Sequence, residues 1–178
     1  MEKTYSQIIG TPIVVEDLGR VGRITDIAID TETGKVACFF VNTGNMKIIT
    51  PNDIIFFDQA IVIGDHEDIV DAEDIIRVKN VLERDIGILK SRVETQKGEL
   101  LGNVHNFIID VDFAVLTKIV VYKSFFSLFK TKDLLIPAKD IIKIEKGLVT
   151  VKNKYAKTPI TAKDMKKYPN LYPADLTS

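Results

Sequence analysis

Apolar residues along this chain fall in short runs with alternating or β-branched character, and Gly or Asx residues interrupt them every few positions. That pattern predicts strands. In the first half it places them near 12–16, 21–30, 35–43, 46–50, 53–57 and 60–64. Thr33-Gly34 and Gly44-Asn45 supply residues that reach positive φ in tight hairpins. Residues 71–84 break the pattern, because Ile75, Ile76, Val78, Val81 and Leu82 share roughly one helical face. A linker helix is predicted there, with Asp71 placed as its N-cap and Gly87 suited to its end.

The chain also repeats itself. At a shift of 80 residues, Gly22-Arg23-Ile24-Thr25-Asp26-Ile27-Ala28-Ile29-Asp30 lies over Gly102-Asn103-Val104-His105-Asn106-Phe107-Ile108-Ile109-Asp110. The shift then grows to 86–87, so that Ile49-Thr50-Pro51-Asn52-Asp53-Ile54 faces Leu135-Ile136-Pro137-Ala138-Lys139-Asp140-Ile141, and Ala60-Ile61-Val62 faces Gly147-Leu148-Val149. In both copies the apolar phase slips by one residue, between Ile24 and Ile27 and between Val104 and Phe107. A β-bulge produces such a slip and bends the strand. Short curved strands with no helix over one face favour a small barrel.

These residues carry a resemblance. Each unit resembles the PRC-barrel, the domain shared by the cytoplasmic part of the photosynthetic reaction-centre H subunit and the C-terminal part of the 16S rRNA maturation factor. The matching pieces are 19–30, the turn Thr33-Gly34-Lys35 with its following strand, and 49–54; in the second copy they are 98–104, the strand ending at Asp110, and 136–141. The second copy departs at its turn, Val111-Asp112-Phe113-Ala114-Val115, which lacks Thr-Gly-Lys, and its middle hairpin is longer. The resemblance implies a mainly β chain of two small PRC-type barrels in tandem, like bacterial tandem PRC-barrel proteins. The first barrel is expected over 5–66, a linker helix over 67–86, the second barrel over 87–155 and a tail over 156–178. Members of the family share a habit of docking on larger partners and no common chemistry. The implied function is a non-enzymatic interaction or scaffold module on a larger protein or membrane-associated assembly.

Composition fits a folded chain: 46% of the 178 residues are hydrophobic and 28% are charged. The apolar runs are too short to span a bilayer, and residues 1–10 have no apolar signal region. The single Cys, Cys38, lies within the run Val36–Val41, which excludes an internal disulfide and fits a reducing cytoplasm. The expected location is cytoplasmic, with any membrane contact peripheral at the cytoplasmic face. Charge divides sharply, since residues 1–85 hold 8 basic and 16 acidic side chains while 86–178 hold 16 and 9. An acidic barrel and a basic barrel are expected to attract each other across the linker.

No catalytic constellation is legible. His66 stands beside Glu67 and Asp68, but consecutive residues on a strand cannot converge on one metal ion, and His105 reads as a surface residue at the bulge. Cys38 reads as packing, and Asp26, Asp30 and Glu32 could pair as carboxylates, although Asp30 recurs as Asp110 at a turn entry and reads better as a turn-capping side chain. No phosphate loop is present, and no convergent polar cluster marks the groove between barrels. The chain is therefore expected to be no enzyme and to carry no cofactor or metal. The most unusual segment is the second copy's lengthened hairpin, Lys123-Ser124-Phe125-Phe126-Ser127-Leu128-Phe129-Lys130. Its apolar tip must be covered, either by the chain's own linker helix or first barrel, or by a partner. Phe125, Phe126, Leu128 and Phe129, flanked by Lys123 and Lys130, are the expected partner or membrane contact. The alternative is RNA or ribosome association through the basic half, where twelve Lys stand against four acidic residues between 123 and 167, without any Arg.

Overall fold

The computed structural model describes residues 1–43, 46–122 and 133–155. A short strand β1 (Glu2–Thr4) and one turn of helix α1 (Tyr5–Ile8) lead into β2 (Pro12–Val15), β3 (Gly19–Ile29), β4 (Val36–Val41), β5 (Lys47–Ile49), β6 (Ile54–Phe57), β7 (Ile61–Ile63) and β8 (Val70–Asp71). Helix α2 (Ile76–Glu83) then precedes β9 (Arg92–Thr95), β10 (Leu100–Asp110), β11 (Val115–Tyr122), β12 (Leu134–Pro137), β13 (Ile141–Glu145) and β14 (Leu148–Val151). The first sheet runs β6-β7-β2-β3-β4-β5-β8, and the second repeats its plan as β13-β14-β9-β10-β11-β12. Two small barrels in tandem are therefore present, as the repeat predicts.

The predicted bulges lie where the phase slips, between Ile24 and Asp26 in β3 and between Val104 and Asn106 in β10. An Asx side chain stitches each one. Asp26 Oδ1 accepts the Ile27 N–H at 2.8 Å, and Asn106 Oδ1 accepts the Phe107 N–H at 2.9 Å. The entry to each barrel repeats too: Gly10 and Lys90 donate to the carbonyls of Ile24 and Val104, while Ile24 and Val104 donate to those of Thr11 and Ser91. The repeat misses by one residue at the last strand. Ile61 pairs with Ile13, whereas Val149 is the residue that pairs with Val93, so the final correspondence is 88 rather than 87.

Three further expectations change. Helix α2 is preceded by a 3-10 turn, Ala72–Asp74, and Asp71 makes no side-chain cap there; its carboxylate takes the Lys47 ammonium at 2.9 Å. The left-handed residue after α2 is Asp85, at φ 51°, and not Gly87. Helix α2 also covers the outer face of β4 and β5, burying Cys38 and Ile48 with Ala72 and Val78. This cover explains why four successive residues of β4, Val36 to Phe39, are buried on both faces.

The two barrels share one core, which runs from Ile8, Ile24 and Phe39 to Phe107, Ile119 and Val149. Their junction has local two-fold character. Val36 donates to the Ala114 carbonyl and Leu116 donates to the Gly34 carbonyl, both at 2.8 Å, with Lys35 and Val115 paired between them. At a shift of 80 these two bonds are images of each other, as a two-fold axis demands. Strand β1 crosses the same junction and pairs antiparallel with Ile108–Asp110 of β10. Glu2 reaches Lys118 at 2.6 Å, and Tyr5 packs on Phe107 with ring centroids 5.1 Å apart.

Both junction carbonyls belong to left-handed residues, Gly34 at φ 73° and Ala114 at φ 49°. A side chain there costs about 1–2 kcal/mol. Gly34→Ala is expected to destabilise the chain by about 1 kcal/mol, a fall of about 2–4 °C in thermal midpoint. At the mirrored site Ala114→Val should cost more than Ala114→Asn, because Asn tolerates positive φ and a β-branched residue does not. Thermal unfolding of the three variants checks the order.

Candidate docking surfaces and the groove between the barrels

The candidate chemical residues are engaged with backbone and neighbours. Asp30 accepts the Glu32 N–H at 3.1 Å and the Thr33 hydroxyl at 2.8 Å, the turn-capping role expected of it. Burial raises its pKa, but the Thr33 and Glu32 hydrogen bonds and the Arg84 guanidinium outweigh that and hold the carboxyl below its ordinary value. Arg84 bridges Asp30 and Glu32 at 3.2 and 3.1 Å. Asp26 instead receives the Tyr5 hydroxyl at 3.1 Å, and burial beside that carboxylate pushes the Tyr5 pKa up to about 12. Tyr5 is thus a fixed donor joining the two barrels. Asp65 and Asp68 cap the 3-10 turn that contains His66, accepting the N–H groups of Glu67 and Asp65. His105 is exposed at the bulge, 3.5 Å from Asp133 and edge-on to Tyr122. Cys38 is fully buried, and desolvation pushes its thiol up to about 12. Among the described residues no three His, Cys, Asp or Glu side chains gather as a metal set.

Phe125, Phe126, Leu128, Phe129, Lys123 and Lys130 lie outside the described residues, as does the tail from 156. The described surface offers a different apolar patch. Leu18 is 63% exposed, Ile55 71% and Phe56 60%. Register brings them to one end of the first barrel: Val15 pairs with Gly19 and with Ile63, and Ile63 pairs with Ile54. A bulge between Ile54 and Phe56 turns two successive side chains outward. Strict alternation in the sequence would have buried one of them, which is why the patch escapes a reading by period. Glu16, Asp17, Asp65 and Glu67 are exposed at this same end, and none joins an ion pair among the described residues.

At the corresponding end of the second barrel the charge is inverted. Gln96-Lys97-Gly98 replaces Glu16-Asp17-Leu18. After β14, Lys152 and Lys154 stand where the first copy has Gly64 and His66, and Asn153 replaces Asp65 between them. Both lysines reach the buried Asp140, at 2.9 and 2.6 Å, and the Tyr155 hydroxyl donates to it at 2.7 Å. In the first copy the matching Asp53 closes a capping pair with Thr50, accepting its N–H and hydroxyl at 2.7 and 2.8 Å. Pro137 at the cap of the second copy offers neither, so Asp140 takes the cations. The hydrogen bonds from Lys154, Lys152 and Tyr155 hold its carboxyl far below the ordinary range.

A groove of about 310 Å³ lies between the barrels. Asp26–Ile29 of β3 form one wall; Val81, Leu82 and residues 85–89 form another, with Phe40 and Phe107 beside them. Two carboxylates line it, Asp26 and Asp85.

The arrangement defines a tandem two-barrel protein, with a shared core and differentiated ends. The PRC-barrel domain model matches residues 1–84 and again 88–157, and the chain belongs to that family. PRC-barrel domains are protein-interaction modules of a non-catalytic type. No curated protein matches the chain.

The Asp140 cluster has a pH signature. A carboxyl whose folded pKa lies below its unfolded value contributes stability that is complete above about pH 4 and is lost as pH falls through the folded value. Asp140→Asn is expected to unfold several degrees below the native chain near neutrality. The gap should narrow steadily as pH drops below about 4. Thermal unfolding across that range measures it.

Proposed function

We propose that this chain is a non-enzymatic protein-interaction module that docks on a larger protein or membrane-associated assembly through the acidic end of its first barrel. The observation that carries the reading is the set of Leu18, Ile55 and Phe56, all more than half exposed on an edge and its neighbouring turn, amid unpaired carboxylates. Full burial of such a side chain is worth about 1.5–3 kcal/mol. Exposed apolar groups with a charged rim are the anatomy of a transient interface. The partner surface it fits is apolar with Lys or Arg around it. The Phe125–Phe129 tip is a second contact in the same proposal. No helix of the described residues is long and apolar enough to cross a membrane, and membrane association in this reading is peripheral, from the cytoplasm.

The RNA reading draws on the lysines of the second half. Lys152 and Lys154 are already held by Asp140, and Arg92 is drawn to Glu94, which leaves fewer free cations for phosphate than the count implies.

Cross-linked capture from cells with the tagged chain tests the proposal. Leu18→Ser with Phe56→Ser should keep the circular dichroism spectrum of the native chain and lose the cross-linked partner. Phe125→Ser with Phe126→Ser tests the tip in parallel. An unchanged partner set in both variants refutes docking through these surfaces.

A further inference from the structure

Strand β10 has two edges. One pairs with β11 over Asn103–Asp110; the other pairs with β9 over Leu100–Asn103 and, beyond the bulge, with β1 over Ile108–Asp110. The image of that last segment in the first barrel is Ala28–Asp30, at the end of β3 and the residue after it. There β4 takes one edge, and β2 takes the other only as far as Arg23. No strand among the described residues pairs with the rest of that edge, because the segment before β9 is helical where the segment before β2 is β1. The groove of about 310 Å³ lies along this stretch. Four successive residues, Asp26 to Ile29, line it, and successive side chains of a strand point to opposite faces, so the groove meets the edge itself.

We propose that this groove is a strand-addition site for an extended segment of a partner protein. The segment would pair antiparallel with β3 at Ala28–Asp30, as β1 pairs with β10. Its own image in the chain states what fits: a short extended run with side chains on alternate faces, the inner ones against Leu82, Ile88 and Phe107. Charge narrows the class further. Asp26 lines the groove and contacts no cation among the described residues, whereas Asp85 at its far wall is already paired with Lys146, so a Lys or Arg of the occupant is directed to Asp26, as β1 carries Lys3. Backbone pairing supplies affinity in such recognition, while alternate side chains and the Asp26 carboxylate supply selectivity. The site is separate from the acidic end of the first barrel.

A peptide with the sequence of residues 2–8 is the probe, titrated into the isotope-labelled full chain. Saturable amide shifts should centre on Asp26–Asp30 and 85–89. The same peptide methylated on its backbone nitrogens should bind about tenfold more weakly, the loss of about one to two hydrogen bonds. Leu82→Trp, which fills the groove, should abolish the shifts while the rest of the spectrum keeps its dispersion; should that variant unfold, Asp26→Lys replaces it and should weaken binding. Shifts confined to Ile108–Asp110 would mean that the peptide merely exchanges with β1, and would overturn the proposal. Equal binding by the methylated peptide, or no saturable shift, would overturn it too. Loss of partner capture in Leu18 and Phe56 variants bears only on the acidic end and leaves this outcome independent.

Discussion

Backbone hydrogen bonding on the outer edge of β10 is the constraint from which the architecture follows. Strand β9 stops at the bulge, and the remaining N–H and C=O groups of a half-buried strand need partners. The first residues of the chain provide them by crossing to the second barrel. Once β1 is committed there, Tyr5 lies on Phe107, the Asn106 amide reaches the Ser6 hydroxyl at 2.9 Å, and Ile8 enters a core common to both barrels. The unit that follows α2 is thus incomplete without the one that precedes it, and the reciprocal bonds at Gly34 and Ala114 set their relative orientation.

That orientation governs what the divided charge does. Attraction between the acidic and the basic half is carried by a few pairs, each an acidic side chain of the first half on a lysine of the second, and not by the charged barrel ends. Strands β3 and β10 each run eleven residues from a charged end to the junction, so both charged ends face away from it. Among the described residues, the side-chain ion pairs that cross between the halves are Glu2 with Lys118 and Asp85 with Lys146, none drawn from those ends. Near the junction the association rests on strand pairing, aromatic contact and a shared core, which salt barely screens, whereas the ends are free to act on other molecules.

Most of the fold was legible because it is written twice. A phase slip flanked by an Asx residue, seen once, is noise; seen at Asp26 and again at Asn106, it locates a bulge and the side chain that stitches it. Asp30 was legible as a turn cap for the same reason. What could not be read lacked a second copy or broke its own period. Strand β1 has three residues and no image in the other unit, since 82–84 are helical or helix-terminal. The patch at Ile55 and Phe56 depends on a bulge that lets neighbours share a face, which an alternating pattern hides. Helix α2 was legible, but not that it would roof β4 and β5 and account for the continuous apolar run around Cys38.

Duplication also separates the positions that hold the fold from those that vary. The Asx side chains that recur at matching positions answer to geometry: Asp26 and Asn106 hold bulges, and Asp30 and Asp110 accept turn N–H groups. The positions that diverged are those the backbone leaves unconstrained, at the barrel ends and in the segments that lead into each barrel. A strict two-fold pair would present every surface twice. Here one lead segment became a strand that closes an edge, and the other became a helix that leaves the matching edge lined by a groove. The asymmetry converts a symmetric scaffold into one with a single copy of each distinctive surface, and a partner that reads more than one of them can meet this chain in only one orientation.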